Sequence, residues 1–260
     1  MDDAPSATPH RNEDMATMLA ARVRAEFGDP AGWPRPGGYP DALALCAIDS
    51  IQSIGVRYES VGNVVTRYRK FRRDQGGDPA TDGMPQLLRT FEDLGGVEAW
   101  AARIGTANRT STHAGAPLKA LAIEQAANAL SALNVLTCRD LRGCESDRLK
   151  AVRSAWCGVP GQGSGTSWRY LLMLAGVPGV KPDRMIIRFV AGTVSRSEGS
   201  VSASLAAAVV LRAAEQLGVT ATDLDHVVWR RQSGRDTDVE AEPMSADGVA
   251  DPPSAERAAL

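Results

Sequence analysis

The residues of this chain that can do chemistry gather between Val159 and Arg188. Gly161, Gly163 and Gly165 fall within the run Pro160-Gly161-Gln162-Gly163-Ser164-Gly165-Thr166, and an apolar helix follows. Glycine reaches backbone conformations that other residues disfavour. Peptide N–H groups at the start of a helix, where the dipole adds positive potential, suit a phosphate. Asp183 follows Gly161 by 22 residues, with Arg184 directly after it and Arg188 further along. A carboxylate held near a gripped phosphate suits chemistry on the attached nucleoside. Asp183 also stands where a helix N-cap would, a common place for aspartate, and the two roles are compatible. GxGxxG is a weak pattern alone. A dinucleotide-binding reading requires a preceding strand, whereas here a helix precedes the turn. The run therefore reads as a helix–hairpin–helix, with an ordinary glycine-rich turn as the plain alternative.

Those residues need a scaffold, and the sequence predicts an all-α one. Helices are expected over 13–27, from Pro40 or Asp41 to about Gly55, and from about Ser60 to the basic run Arg67-Tyr68-Arg69-Lys70-Phe71-Arg72-Arg73. Two short ones follow at 84–94 and 97–104, then a long one from Pro117 to about Leu133 and another from Ser146 to Trp156. After the hairpin come 166–175, about Arg184 to Val194, Ser200 or Ser202 to Leu217, and a last helix capped by Thr222 and Asp223. The second helix is apolar on most faces, which assigns it to the centre of a core. No stretch alternates with a strand's period. The expected organisation is a disordered tail over 1–12, a helical domain over 13–234 and a disordered acidic tail over 235–260. The domain divides into two lobes, about 60–165 and 13–59 plus 166–234.

Composition limits the classes. A hydrophobic content of 43% over 260 residues suits an ordinary soluble globular protein. No apolar run reaches the roughly 20 residues that cross a bilayer, so no membrane partner is expected. The polar N-terminus lacks a signal core, which predicts a cytoplasmic location. Four cysteines are scattered without CxxC spacing; they read as small buried hydrophobes, and no metal or cofactor is expected. The net charge of −2 conceals an asymmetry: residues 1–17 carry −3 and residues 235–260 carry −5, so the body between them is +6. A basic body suits a polyanion, although acidic tails also arise simply because disorder tolerates charge.

The segment Pro160–Thr166, with Asp183, Ile186 and Arg188 in order behind it, resembles the helix–hairpin–helix/glycine–proline–aspartate superfamily of base-excision DNA glycosylases. Upstream, the stretch from Pro40-Asp41 to Ser50-Ile51-Gln52-Ser53 resembles that family's helix ending in Ser-x-Gln. The resemblance covers about 38–230 and implies a two-lobed helical fold acting on double-stranded DNA as a monomer associated with the nucleoid. It implies Asp183 as the catalytic carboxylate. It implies DNA contacts from Gly161, Gln162, Gly163, Ser164, Gly165, Thr166 and Arg184, from Gln52 reaching into the duplex, and from Lys119 on the long middle helix. Gly165 stands where bifunctional members carry a lysine nucleophile, and no cysteine follows Cys157 to hold an iron–sulfur cluster. The implied activity is monofunctional hydrolysis of the N-glycosidic bond of a damaged, mismatched or modified base. A DNA-binding protein that kept the fold without the reaction is the alternative. The basic run Arg67–Arg73 is placed to meet phosphates or to form a solvated helix end. Trp33, Trp156, Trp168 and Trp229 read as packing residues, with Trp168 also near enough to line a base pocket. Other pocket residues are expected from the loop 105–116 and the first helices.

Overall fold

The computed structural model describes residues 7–234, with side chains from residue 12. Among them every regular element is helical, apart from one antiparallel bridge between Arg109 and Leu118. The α-helices are α1 (Ala7–Phe27), α2 (Leu43–Gln52), α3 (Tyr58–Asp74), α4 (Met84–Leu94), α5 (Val97–Arg103) and α6 (Lys119–Ala132). They continue with α7 (Cys138–Arg142), α8 (Ser146–Cys157), α9 (Thr166–Leu174), α10 (Arg184–Thr193), α11 (Ala203–Leu217) and α12 (Ala221–Gln232). The expected tails at 1–6 and 235–260 lie outside the described residues. Residues 7–12, expected to be tail, belong to α1. Pro9 does not oppose this, because the first turn of a helix has no use for its missing N–H.

Most helix boundaries follow local chemistry. Ser202 accepts from the Leu205 N–H at 3.1 Å and starts α11, and Gly218 at φ 71° stops it. The cap of α12 is Thr220 with Asp223, two residues earlier than the expected Thr222: the Asp223 N–H donates to Thr220 Oγ1 at 3.1 Å. Thr222 instead turns inward, where its hydroxyl accepts from the Gly179 N–H at 3.0 Å.

Two cores organise these helices. The first gathers α2 through α9, with Leu43, Leu45, Ile48 and Ile51 of α2 at its centre and Tyr68, Phe91, Trp100, Trp156 and Leu171 around them. The second joins α1 to α10, α11 and α12 through Leu19, Val23, Phe189, Val210 and Leu224. The division therefore does not fall at 59 and 165 as expected. It falls in the connections 34–41 and 176–179, because α2 is buried on every face and takes α9 as a packing neighbour. A helix with no polar face cannot serve as the rim of a smaller lobe.

Candidate functional site

The hairpin between α8 and α9 is built from two tight hydrogen-bonded turns. The Gln162 N–H donates to the Val159 carbonyl and the Gly165 N–H to the Gln162 carbonyl, both at 3.0 Å. Gly161 has φ 79° and Gly165 φ 72°, the left-handed region that side chains resist. Gly161 is required twice over: a Cβ there would lie 2.6 Å from Cβ of Thr110, so the hairpin rests directly on the 105–117 loop. Gly163 and Ser164 are exposed, and their main-chain N–H groups meet no acceptor among the described residues. They stand just before the N-terminus of α9. Ser164 Oγ accepts from the Thr166 N–H at 3.3 Å. Gln162 departs from expectation. It is buried, its Nε2 donates to the Pro160 carbonyl, and its Oε1 has no partner, so it holds the turn from inside rather than facing outward.

Asp183 caps α10. Its Oδ1 accepts from the Met185 N–H at 2.8 Å and the Ile186 N–H at 3.3 Å. Pro182 before it is buried, and the side chain of Asp183 itself is half-buried. Arg184 is exposed, and Arg188 pairs with Glu198 at 3.0 Å on the surface.

Beside Asp183 lies a cavity of about 70 Å³, room for roughly five water molecules. Its walls include Tyr58 of α3, Tyr170 of α9, Lys181, and Asp225, His226 and Trp229 of α12. Asp183 is not part of the wall; it stands two residues along the chain from Lys181. Its charge nevertheless reaches the cavity, helping burial to push the Asp225 carboxyl well above the usual carboxylate range. Lys181 lies 3.8 Å over the ring of Tyr170, and its Nζ donates to Ser53 Oγ at 3.1 Å. Trp229 stacks near His226, with centroids 6.3 Å apart and planes 22° apart, and meets Tyr58 edge-on at 5.8 Å. A wider groove of about 560 Å³ adjoins this cavity; Gly37, Tyr58 and Leu174 line both, and Arg69 and Arg73 face the groove.

Several expected DNA contacts have interior roles. Lys119 is 3% exposed. Its ammonium donates to the carbonyls of Gln52 at 2.8 Å and Ile54 at 2.6 Å, closing the C-terminal end of α2. Burial, then the charge on Lys181, lowers its pKa to about 8. The helix end, rich in unpaired carbonyls, offers a buried cation better partners than a phosphate outside. Gln52 is also buried: Thr106 Oγ1 lies 3.4 Å from its Oε1, and its Nε2 has no partner. The basic run is partly internal too. Arg67 donates to the Ile104 and Gly105 carbonyls and Arg72 to Asp82, whereas Lys70 pairs with Asp74 on the surface.

Trp33, Trp156 and Trp168 are buried in the cores, Trp168 against Trp156 rather than in a base pocket. Trp229 was expected to pack and instead lines the cavity. The loop 105–116 contributes nothing to that wall. A signal for α12 existed in the sequence. Thr222, Asp225, His226 and Trp229 share one helical face by their spacing, beside the apolar face of Leu224, Val227 and Val228, and such a mixed polar and aromatic face suits a lined space rather than a core.

The molecule is thus an all-α protein in which a glycine hairpin, a helix-capping aspartate and an aromatic cavity come from neighbouring elements. It belongs to the family described as a domain of unknown function, DUF8548, whose model matches residues 17–233. No curated protein and no solved structure matches it.

Proposed function

We propose that this protein hydrolyses the N-glycosidic bond of a damaged, mismatched or modified base in double-stranded DNA. The observation that carries the reading is the use of Asp183: Oδ1 is engaged by two helix N–H groups, which leaves the carboxylate anchored beside a cavity walled by Tyr58, Tyr170 and Trp229. A base within a duplex is inaccessible, so the nucleotide must be extruded at a cost of about a few kcal/mol. The bare amides of Gly163 and Ser164 would hold a flanking phosphate. Gln52 would enter the vacated stack. Its buried, unpartnered Nε2 favours that exchange, since leaving a polar group unsatisfied costs about 1–3 kcal/mol.

The cavity of about 70 Å³ is smaller than a nucleobase, so the extruded base would enter where it joins the wider groove at Tyr58 and stack against that ring. As the bond between C1′ and the base nitrogen breaks, positive charge grows on the sugar ring, and the carboxylate of Asp183 opposes it. Water then attacks C1′: its oxygen forms the new bond and keeps one hydrogen as the hydroxyl, while its other proton passes by way of the carboxylate to the departing base nitrogen. Gly165 contributes no side chain to the step. The test is release of free base from a panel of duplexes carrying damaged and mismatched pairs. Release from at least one of them, abolished by Asp183→Asn, supports the reading. DNA binding without any release would favour the second reading, a binding protein without the reaction, which the position of Asp183 outside the cavity wall supports. Affinity should fall as salt rises, because phosphate contacts release counterions.

A further inference from the structure

Two thiols meet where the chain crosses between the two cores. Cys46 of α2 and Cys138, the first residue of α7, are both buried, and their sulfurs lie 3.9 Å apart. A disulfide has an S–S bond of about 2.05 Å, so about 2 Å of movement would join them. Both thiols also reach one acceptor, the Tyr39 carbonyl, Cys46 at 3.3 Å and Cys138 at 3.4 Å. Tyr39 belongs to the 34–41 connection and lines the wider groove, so the pair stands directly behind that wall. The far end of α7 holds the other crossing. There Arg142 donates to the carbonyls of Pro40 and of Ala175, the residue before 176–179. Cys144 and Cys157 lie elsewhere, Cys144 donating to the Asp140 carbonyl and Cys157 beneath Gly165 of the hairpin.

The two sulfurs differ in character. The hydrogen bond from Cys46 lowers the pKa of Cys138 against the effect of burial, and the charge of Arg142 adds to it. Burial raises that of Cys46. The thiolate is the nucleophile in sulfur chemistry, which makes Cys138 the attacking sulfur and Cys46 the resolving one. We infer that Cys46 and Cys138 form a reversible disulfide when the protein meets a small peroxide, a clasp that ties α2 to α7 at the crossing between the cores. The clasp is independent of the glycosylase reading. The Cys138 thiolate attacks one peroxide oxygen, the O–O bond breaks, and the departing hydroxide takes up the thiol's proton as water. The sulfur of Cys46 then attacks the sulfenic acid on Cys138. The S–O bond breaks, and the Cys46 proton leaves with that oxygen as a second water. Two thiols are oxidised and one peroxide is reduced. A thiol reductant reopens the bond by exchange. Oxidation takes both S–H donors from the Tyr39 carbonyl, which keeps the Ala42 N–H at 3.1 Å.

The test uses the full chain, first reduced and then exposed to hydrogen peroxide until the exposed Met18 is oxidised. The protein is denatured in iodoacetamide and digested without reductant. The expected result is a peptide pair joined through Cys46 and Cys138, two hydrogens lighter than its separate parts, which dithiothreitol divides. Met18 sulfoxide with Cys46 and Cys138 both alkylated overturns the inference, as does a disulfide through another pair in place of this one. Amide exchange over 39–46 is compared in the two forms. Slowing by about tenfold or more in the oxidised form is expected. Equal or faster exchange means that the bond does not hold the crossing, and overturns the clasp. Mapping on the wild type decides the question without any variant that has to fold.

Discussion

The main-chain N–H of Lys181 donates to Oδ1 of Asp225 at 3.0 Å, so the segment that delivers Asp183 hangs from the inner face of α12. Thr222, one turn earlier, holds the Gly179 N–H of the same segment at 3.0 Å. The position of the proposed catalytic carboxylate is therefore set by a helix some 40 residues further along the chain. Asp225→Ala should lower base release while leaving hairpin-mediated DNA affinity in place, which single-turnover release and equilibrium binding on one duplex would separate.

Asp225 also carries a pH signature. Its carboxyl is held well above its ordinary value by burial and by the charge of Asp183. A raised acid stabilises the fold fully below the unfolded carboxylate pKa, and that contribution is lost as pH rises through the folded value. Asn keeps the acceptor for Lys181 and cannot ionise. Asp225→Asn should accordingly match the wild type in stability at about pH 4 and exceed it at neutral pH. Urea midpoints across that range check the sign; a variant advantage that grew toward acid would contradict it.

Asp183 has two roles that substitutions can separate. Asn is as good an N-cap as Asp, whereas Ala loses about 1 kcal/mol. Asp183→Asn should keep wild-type stability and abasic-analogue binding yet lose base release. Asp183→Ala should lose release and also unfold at lower denaturant. Equal destabilisation by the two would mean that the cap bonds to Met185 and Ile186 contribute little.

The glycines of the hairpin are not equivalent. Gly161→Ala requires φ 79° of a residue with a side chain and puts Cβ 2.6 Å from Thr110; a loss above about 1 kcal/mol is expected. Gly163→Ala meets nothing nearer than the Cys157 carbonyl at 3.9 Å. It should change stability by no more than about 0.5 kcal/mol while weakening DNA binding, because the methyl group stands where a phosphate must approach. Thermal melts and binding isotherms of the two variants give the comparison.

Lys119 predicts a second pH effect, of opposite sense. Its pKa falls from 10.5 to about 8 in the fold. Between those values the unfolded chain binds the extra proton, so this lysine's contribution to stability rises with pH. The stability of the wild type relative to Lys119→Met should therefore grow as the medium passes from about pH 8 to about pH 10, read from denaturant midpoints.

The sequence by itself determined what depends on near neighbours. The helices, the left-handed glycines at 161 and 165, and Asp183 as the cap of α10 all follow from residues within one turn of each other, because caps and tight turns are set by local backbone angles and short hydrogen bonds. Tertiary structure alone decided which polar groups turn inward. Lys119 reads as an exposed cation until α6 is packed against the carbonyl end of α2. Gln52 and Gln162 read as contacts until their surroundings close over them. The cavity joins Tyr58, Tyr170, Lys181 and Asp225 from three helices and a connecting segment. Spacing within α12 marks one wall, but no local pattern brings the other walls to it, because burial is a property of which helix faces meet, and the meeting of α3, α9 and α12 is settled only when both cores have formed.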